Sequence, residues 1–172
     1  MTARSKQGSA RMRKLIVTGL GSGYLPIAPG TWGSAAVAAI FLLVAWGCGG
    51  LWYCVGAAML AVAAVASVAC LALGRYAEAE FGTKDPRQCT IDEWAGQAVA
   101  YLFLPLGEGL GDYLLVAAAA FVAFRLFDII KPPPAHLAER LGGGAGILID
   151  DLVAGVYANV ACQLVLRLWV GW

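Results

Sequence analysis

The chain has 172 residues, of which 60% are hydrophobic and only 13% charged, with a formal net charge of +1. Soluble domains run at roughly 45–50% apolar and about 25% charged, so this composition excludes an ordinary soluble domain and points to a membrane protein. The near-neutral balance gives no support for a nucleic-acid partner, but five of the twelve basic residues (Arg4, Lys6, Arg11, Arg13, Lys14) fall in the first fourteen positions, and no charge follows until Arg75.

Residues 1–14 read as a basic, flexible cytoplasmic tail able to rest on anionic membrane lipids. Residues 15–172 read as one membrane-embedded helical domain. The apolar run 15–20 is too short for a signal-peptide core and gives way to Gly and Pro, so no cleavage is expected. Residues 21–34 (GSGYLPIAPGTWGS) form an irregular loop. Thr31 or Ser34 is placed to cap a first apolar helix that reaches Trp46.

Residues 51–73 are uncharged and give the clearest spanning helix, continuing past Arg75 and Glu80 into water. A polar loop at 82–89 leads to a third helix at 91–104, capped by Thr90 or Asp92 and ended by Pro105 and Gly107. A fourth helix covers 113–130, where Lys131 and three prolines stop it. A short amphipathic piece at 136–141 and a Gly-rich stretch precede the fifth, 147–169. The expected fold is therefore all-α, a polytopic membrane bundle of about five hydrophobic helices. Cys48, Cys54, Cys70, Cys89 and Cys162 show no metal or disulfide spacing and read as buried apolar thiols.

Alternating helix directions bring the charges together. Arg75, Lys84, Arg87, Asp92, Glu93, Arg125, Asp128, Lys131, Asp150 and Asp151 all fall on one face of the membrane, whereas the opposite connections hold no Lys or Arg. By the positive-inside rule the charged face is cytoplasmic. Glu93, Gln97 and Tyr101 share a helix face, as do Asp151, Gly155 and Asn159. Asp150 lies about 100° round the helix from Asp151, which makes Asp151 the inward-pointing member of the pair.

Carboxylates inside a membrane protein are costly unless they bind something or do chemistry. Asp92, Glu93, Asp128, Asp150 and Asp151 form an oxygen-only donor set, suited to Mg²⁺. Lys84, Arg87, Arg125 and Lys131 are candidates to clamp phosphate oxygens. The Gly-rich loops 21–33 and 142–146 offer backbone N–H groups, with Gly21, Ser22, Gly30 and Thr31 as the named candidates. Metal, cations and backbone donors around one anion are what phosphoryl transfer requires.

Four ordered motifs, GSGYLPIAPGTWGS, IDEWAGQ, FRLFDIIKPPP and GILIDDLVAG, resemble the phosphatidylglycerophosphatase A family. The resemblance implies an all-helical inner-membrane phosphatase that converts phosphatidylglycerophosphate to phosphatidylglycerol with Mg²⁺. It carries the acidic role onto Asp92, Glu93, Asp128, Asp150 and Asp151, and Lys131 and the Gly-Pro loop match as well. His136 lies outside these motifs and is not expected to act. The expected chemistry is Mg²⁺-assisted phosphomonoester hydrolysis, with Glu93 taking the proton of water and Lys131 and Arg125 stabilising charge. The alternative is a small transporter or channel subunit that uses the carboxylates as an ion site.

Overall fold

The computed structural model describes residues 3–133 and 143–171. Among the described residues six α-helices follow in order: α1 (Ala3–Val17), α2 (Pro29–Gly47), α3 (Trp52–Phe81), α4 (Ile91–Ala100), α5 (Leu110–Ile130) and α6 (Gly144–Val165). A 3-10 turn, Ser22–Tyr24, lies between α1 and α2, and α6 runs on into a π-helical turn, Leu166–Val170. No strand occurs among the described residues. The expected amphipathic piece at 136–141, His136, and the start of the Gly-rich stretch lie outside those residues.

Among the described residues, four helices are long and apolar enough to cross a membrane: α2, α3, α5 and α6 with its extension to Leu168. The all-α membrane bundle read from the sequence is what forms. At 30 residues α3 is about 45 Å long, well beyond a hydrocarbon core of about 30 Å. Its C-terminal turns project past the apolar zone and pack against α1. Lys14 Nζ lies 2.6 Å from Glu80 Oε1, Tyr76 Oη donates to the Ala10 carbonyl at 3.2 Å, and the Arg13 guanidinium sits 5.9 Å above the Tyr76 ring. The basic segment is thus helical and docked, where a flexible tail was expected. Its Lys and Arg residues are good helix formers, and α3 supplies a surface to hold them.

The third segment departs from the expected helix at 91–104. α4 has only ten residues and ends inside the bundle. The N–H groups of Tyr101 and Leu102 close its last turn on the Ala98 and Val99 carbonyls, and α6 supplies partners for the carbonyls that follow. Asn159 Nδ2 donates to the carbonyls of Ala100 (3.1 Å) and Leu102 (2.8 Å), and Gln163 Nε2 donates to that of Phe103 (2.9 Å). The chain then continues in irregular form to the far end. There Trp52 and Phe103 meet edge to face, and Gly50 lies against the Tyr113 ring. The third crossing is therefore half helix and half irregular backbone, tolerated because it is enclosed by protein.

Two smaller expectations also change. α2 starts at Pro29, with Ala28 as its N-cap in the left-handed region, so neither Thr31 nor Ser34 caps it. Pro at the first helical position needs no N–H partner, which explains the early start. Cys48 and Cys54 are joined by a disulfide across the α2–α3 connection. The sharp turn of the hairpin brings their Cα atoms to 6.5 Å, within bridging range.

Candidate active site

The N-terminal ends of α2, α4 and α6 and the C-terminal end of α5 converge at one end of the bundle. They enclose a pocket of about 280 Å³. Six carboxylates line it (Asp85, Asp92, Glu93, Asp128, Asp150, Asp151) against three cations (Arg87, Arg125, Lys131). The described walls thus carry twice as many acidic as basic groups.

Three of the acids form the centre. Glu93, Asp128 and Asp151 each present an oxygen within 4.8 Å of the others. α4 delivers Glu93, α5 Asp128 and α6 Asp151. Arg125 is ion-paired to Glu93 and lies 3.2 Å from Asp128 Oδ2. Ser34 Oγ donates to Glu93 Oε2 at 3.2 Å, so the first turns of α2 help aim that carboxylate.

Close helix approach makes the convergence possible. A side chain at Gly96 would strike the backbone of Asp151 and the Phe124 ring, and one at Gly155 would strike the Gly96 carbonyl. α4 and α6 therefore touch backbone to backbone beside the acids. Gly30 meets the same constraint, because any Cβ there would collide with the Glu93 carboxylate.

The other two acids behave differently. Asp150 accepts from Lys131 Nζ at 2.8 Å through Oδ2, while its Oδ1 is buried without a partner. Asp92 is 7% exposed and its Oδ1 is likewise buried and unpartnered. Asp92 and Glu93 are both held in the buried first turn of α4, Glu93 against Arg125 and Asp92 without a partner for its Oδ1. The pKa of Cys89, on the pocket wall, is pushed up by its contact with Cys70 and by burial. The donor set is oxygen only, the kind that hard divalent cations take. Two buried carboxylate oxygens with no partner add unused acceptors that such a cation, or its hydration shell, would satisfy.

All five acids named from the sequence meet here, together with Arg87, Arg125, Lys131 and Gly30. Lys84, Gly21, Ser22 and Thr31 are not among the described walls. Ser22 instead bonds the Thr90 hydroxyl at 3.0 Å and holds the Gly-Pro loop against the start of α4. Two contributors escaped the sequence reading. Asp85 lies in the polar loop beside Lys84 and Arg87, and that clustering was the available signal. Ser34 was read as a cap and turns out to orient Glu93.

Fold and pocket together define an integral membrane protein of the helical-bundle class, with a carboxylate-centred, cation-lined site at one end of its spans. Comparison with known proteins narrows this. The phosphatidylglycerophosphatase A family profile matches residues 15–166, and the chain belongs to that family. A Haemophilus influenzae protein described as phosphatidylglycerophosphatase A is 33% identical over 153 residues, covering 85% of this chain and 83% of that one. The Escherichia coli protein of the same description is 32% identical over 155 residues, covering 90% and 83%. A Bacteroides thetaiotaomicron protein described as a putative phosphatidylinositol-3-phosphatase is 33% identical over 150 residues, covering 85% and 88%. No solved structure matches the chain.

Proposed function

We propose that this protein hydrolyses the terminal phosphomonoester of phosphatidylglycerophosphate, releasing phosphatidylglycerol and inorganic phosphate, with Mg²⁺ held by Glu93, Asp128 and Asp151. The observation that carries the reading is the cluster of three carboxylates from three helices, flanked by Arg125 and Lys131, in one pocket at the end of the membrane spans. When bound there, the cation supplies the charge neutralisation that a phosphoryl group needs.

The residues divide the remaining work. Arg125 and Lys131 are paired to acids of the site and stand ready to share their donors with phosphoryl oxygens. Arg87 stands on the pocket wall, and the positive end of α2 at Pro29 and Gly30 faces the same space. Asp92 is the proton acceptor in this reading. It is buried, lines the pocket and keeps an unpartnered oxygen, whereas Glu93 is committed to Arg125 and Ser34. Water oxygen bonds to phosphorus and gives its proton to Asp92 as the bond to the glycerol oxygen breaks. That oxygen takes a proton from solvent and leaves as the alcohol of the product lipid, and Asp92 returns its own proton to solvent.

The acidic end faces the cytoplasm of a bacterial inner membrane in this reading. Two observations support that orientation. The far connections, residues 48–51 and 101–109, contain no Lys or Arg, and the Cys48–Cys54 disulfide lies at that end, as suits an oxidising compartment.

The test is phosphate release from phosphatidylglycerophosphate by the purified protein, with Mg²⁺ and with EDTA, beside phosphatidylinositol 3-phosphate as a competing substrate. Release that requires Mg²⁺ and favours phosphatidylglycerophosphate is expected. No release from either lipid overturns the reading and returns the carboxylates to a transporter's ion site. A preference for the inositol lipid keeps the reaction class and corrects the substrate.

A further inference from the structure

A second cavity, of about 250 Å³, adjoins the acidic pocket. Tyr24, Leu25, Pro26 and Gln88 line it, and it shares Pro29 and Arg87 with its neighbour. Two loops build it, each closed by a turn of its own. The Leu25 N–H bonds the Ser22 carbonyl at 3.1 Å, and the Cys89 N–H bonds the Pro86 carbonyl at 2.7 Å. The loops meet backbone to backbone, because any Cβ at Gly23 would strike the Gln88 carbonyl.

The two cavities differ in charge. Six carboxylates line the acidic pocket, which suits a cation, whereas no described wall of the second carries an acid and its charged residue is Arg87. Arg125 and Lys131 are already committed to carboxylates. Arg87 is exposed and, among the described residues, has neither ion pair nor hydrogen bond. Its donors are therefore free, on the wall common to both cavities. The second cavity also borders an apolar rim. Tyr24 and Leu25 of its wall are exposed, as are Ile27 and Trp32 just beyond, where the membrane-spanning α2 begins. Aromatic side chains at the end of a span sit at the level of lipid headgroups. A lipid that reaches the acids past this rim presents here the part of its headgroup nearer the acyl chains.

We propose that this second cavity binds the phosphodiester of the lipid headgroup through Arg87, while the terminal phosphomonoester lies among the acids. The proposal rests on the lipid-phosphate reading above and adds what selects the substrate there. Both phosphates of phosphatidylglycerophosphate hang on one glycerol, and the two cavities share one wall. The diester carries a single negative charge that the carboxylates would repel, so its counterion must stand outside their cluster. Arg87 does so, and a guanidinium can bridge two phosphate oxygens with its forked donors. A phospholipid with a phosphodiester beside its terminal monoester meets this requirement. Phosphatidate, which has the monoester alone, does not. Arg87 thus sets specificity without touching the reacting atoms.

The test compares kcat/KM for phosphatidylglycerophosphate and for its methyl phosphotriester, in which only the diester charge is removed. The wild type should favour the diester roughly tenfold, the lower end of what a hydrogen bond to a charged group is worth, because Arg87 is exposed. Arg87→Ala should bring the ratio close to one, and Arg87→Lys should recover part of it. Arg11→Ala, which removes an exposed cation of α1, should keep the wild-type ratio. A wild-type ratio near one, or an unchanged ratio in Arg87→Ala, overturns the proposal. So does an equal loss in Arg11→Ala, which would mean diffuse attraction to the surface. If the wild type releases phosphate from neither lipid, the hydrolase reading falls and binding decides the cavity. Calorimetric titration then uses glycerophosphoglycerol, the soluble headgroup with the diester and no monoester. Binding that Arg87→Ala abolishes supports the subsite, and equal binding by both proteins, or none by the wild type, overturns it.

Discussion

The end of the bundle that gathers the acids and the end that carries the disulfide are held together by opposite means. At the acidic end, helices meet backbone to backbone at Gly96, Gly155, Gly74 and Gly144, and six carboxylates crowd three cations. At the far end, Cys48 is bonded to Cys54, Trp52 packs on Phe103, and Tyr113 fills the space over Gly50. Among the described residues, none of these far-end side chains has a buried polar atom without a partner. The acidic end has an uncompensated charge and buried oxygens without partners, so it is built for something it must bind. The chemistry gathers at one end of the molecule, and a disulfide and aromatic contacts close the other.

Substitutions at the two ends should accordingly separate activity from stability. Asp151→Asn removes one of the three central oxygens and one like charge. Phosphate release should fall by about 10³-fold or more, while the melting temperature in detergent stays level or rises. Retained activity would break the contrast at its centre. Gly96→Leu forces α4 from α6 where the backbones touch, at a cost of about 3 kcal/mol from overpacking. Thermal unfolding should show it, and activity should fall with the displaced Glu93.

Asn159→Ala strips a donor from the carbonyls of Ala100 and Leu102 at the buried end of α4, costing about 2 kcal/mol. The loss should appear in thermal unfolding with the Mg²⁺ requirement unchanged. Cys54→Ser should have the smallest effect on turnover. It shortens no contact of the site, so phosphate release should stay within about twofold, with at most about 2 kcal/mol lost in stability. A large fall in activity would mean that the two ends are coupled.

Much of this arrangement was legible in the chain because it depends on counting helix directions. Five apolar segments with alternating sense place Glu93, Asp128 and Asp151 on one face whatever their packing, and the i, i+4 spacing of Asp151, Gly155 and Asn159 singled out Asp151 over Asp150. The structure agrees, with Asp151 in the central trio and Asp150 turned to Lys131. What was not legible depends on partners remote in sequence. α4 stops at Ala100 because Asn159 and Gln163, some sixty residues on, take over its carbonyls. Nothing within residues 91–104 announces that. The Gly-Pro loop reads like a phosphate cradle, yet its Ser22 holds the loop against Thr90, and of the four named candidates only Gly30 lines the pocket, beside Ala28 and Pro29. The basic segment looked flexible by charge alone, because the α3 surface it docks on lies sixty residues away.

The acidic end is the heart of the account, and Mg²⁺ binding measured directly by calorimetric titration of the purified protein tests it most squarely. Saturable binding is expected in the wild type. It should weaken as pH falls, because protons compete with the cation for the carboxylate oxygens. Binding should disappear in Asp151→Asn. Equal Mg²⁺ binding by the two proteins, or none by the wild type, would contradict the assignment.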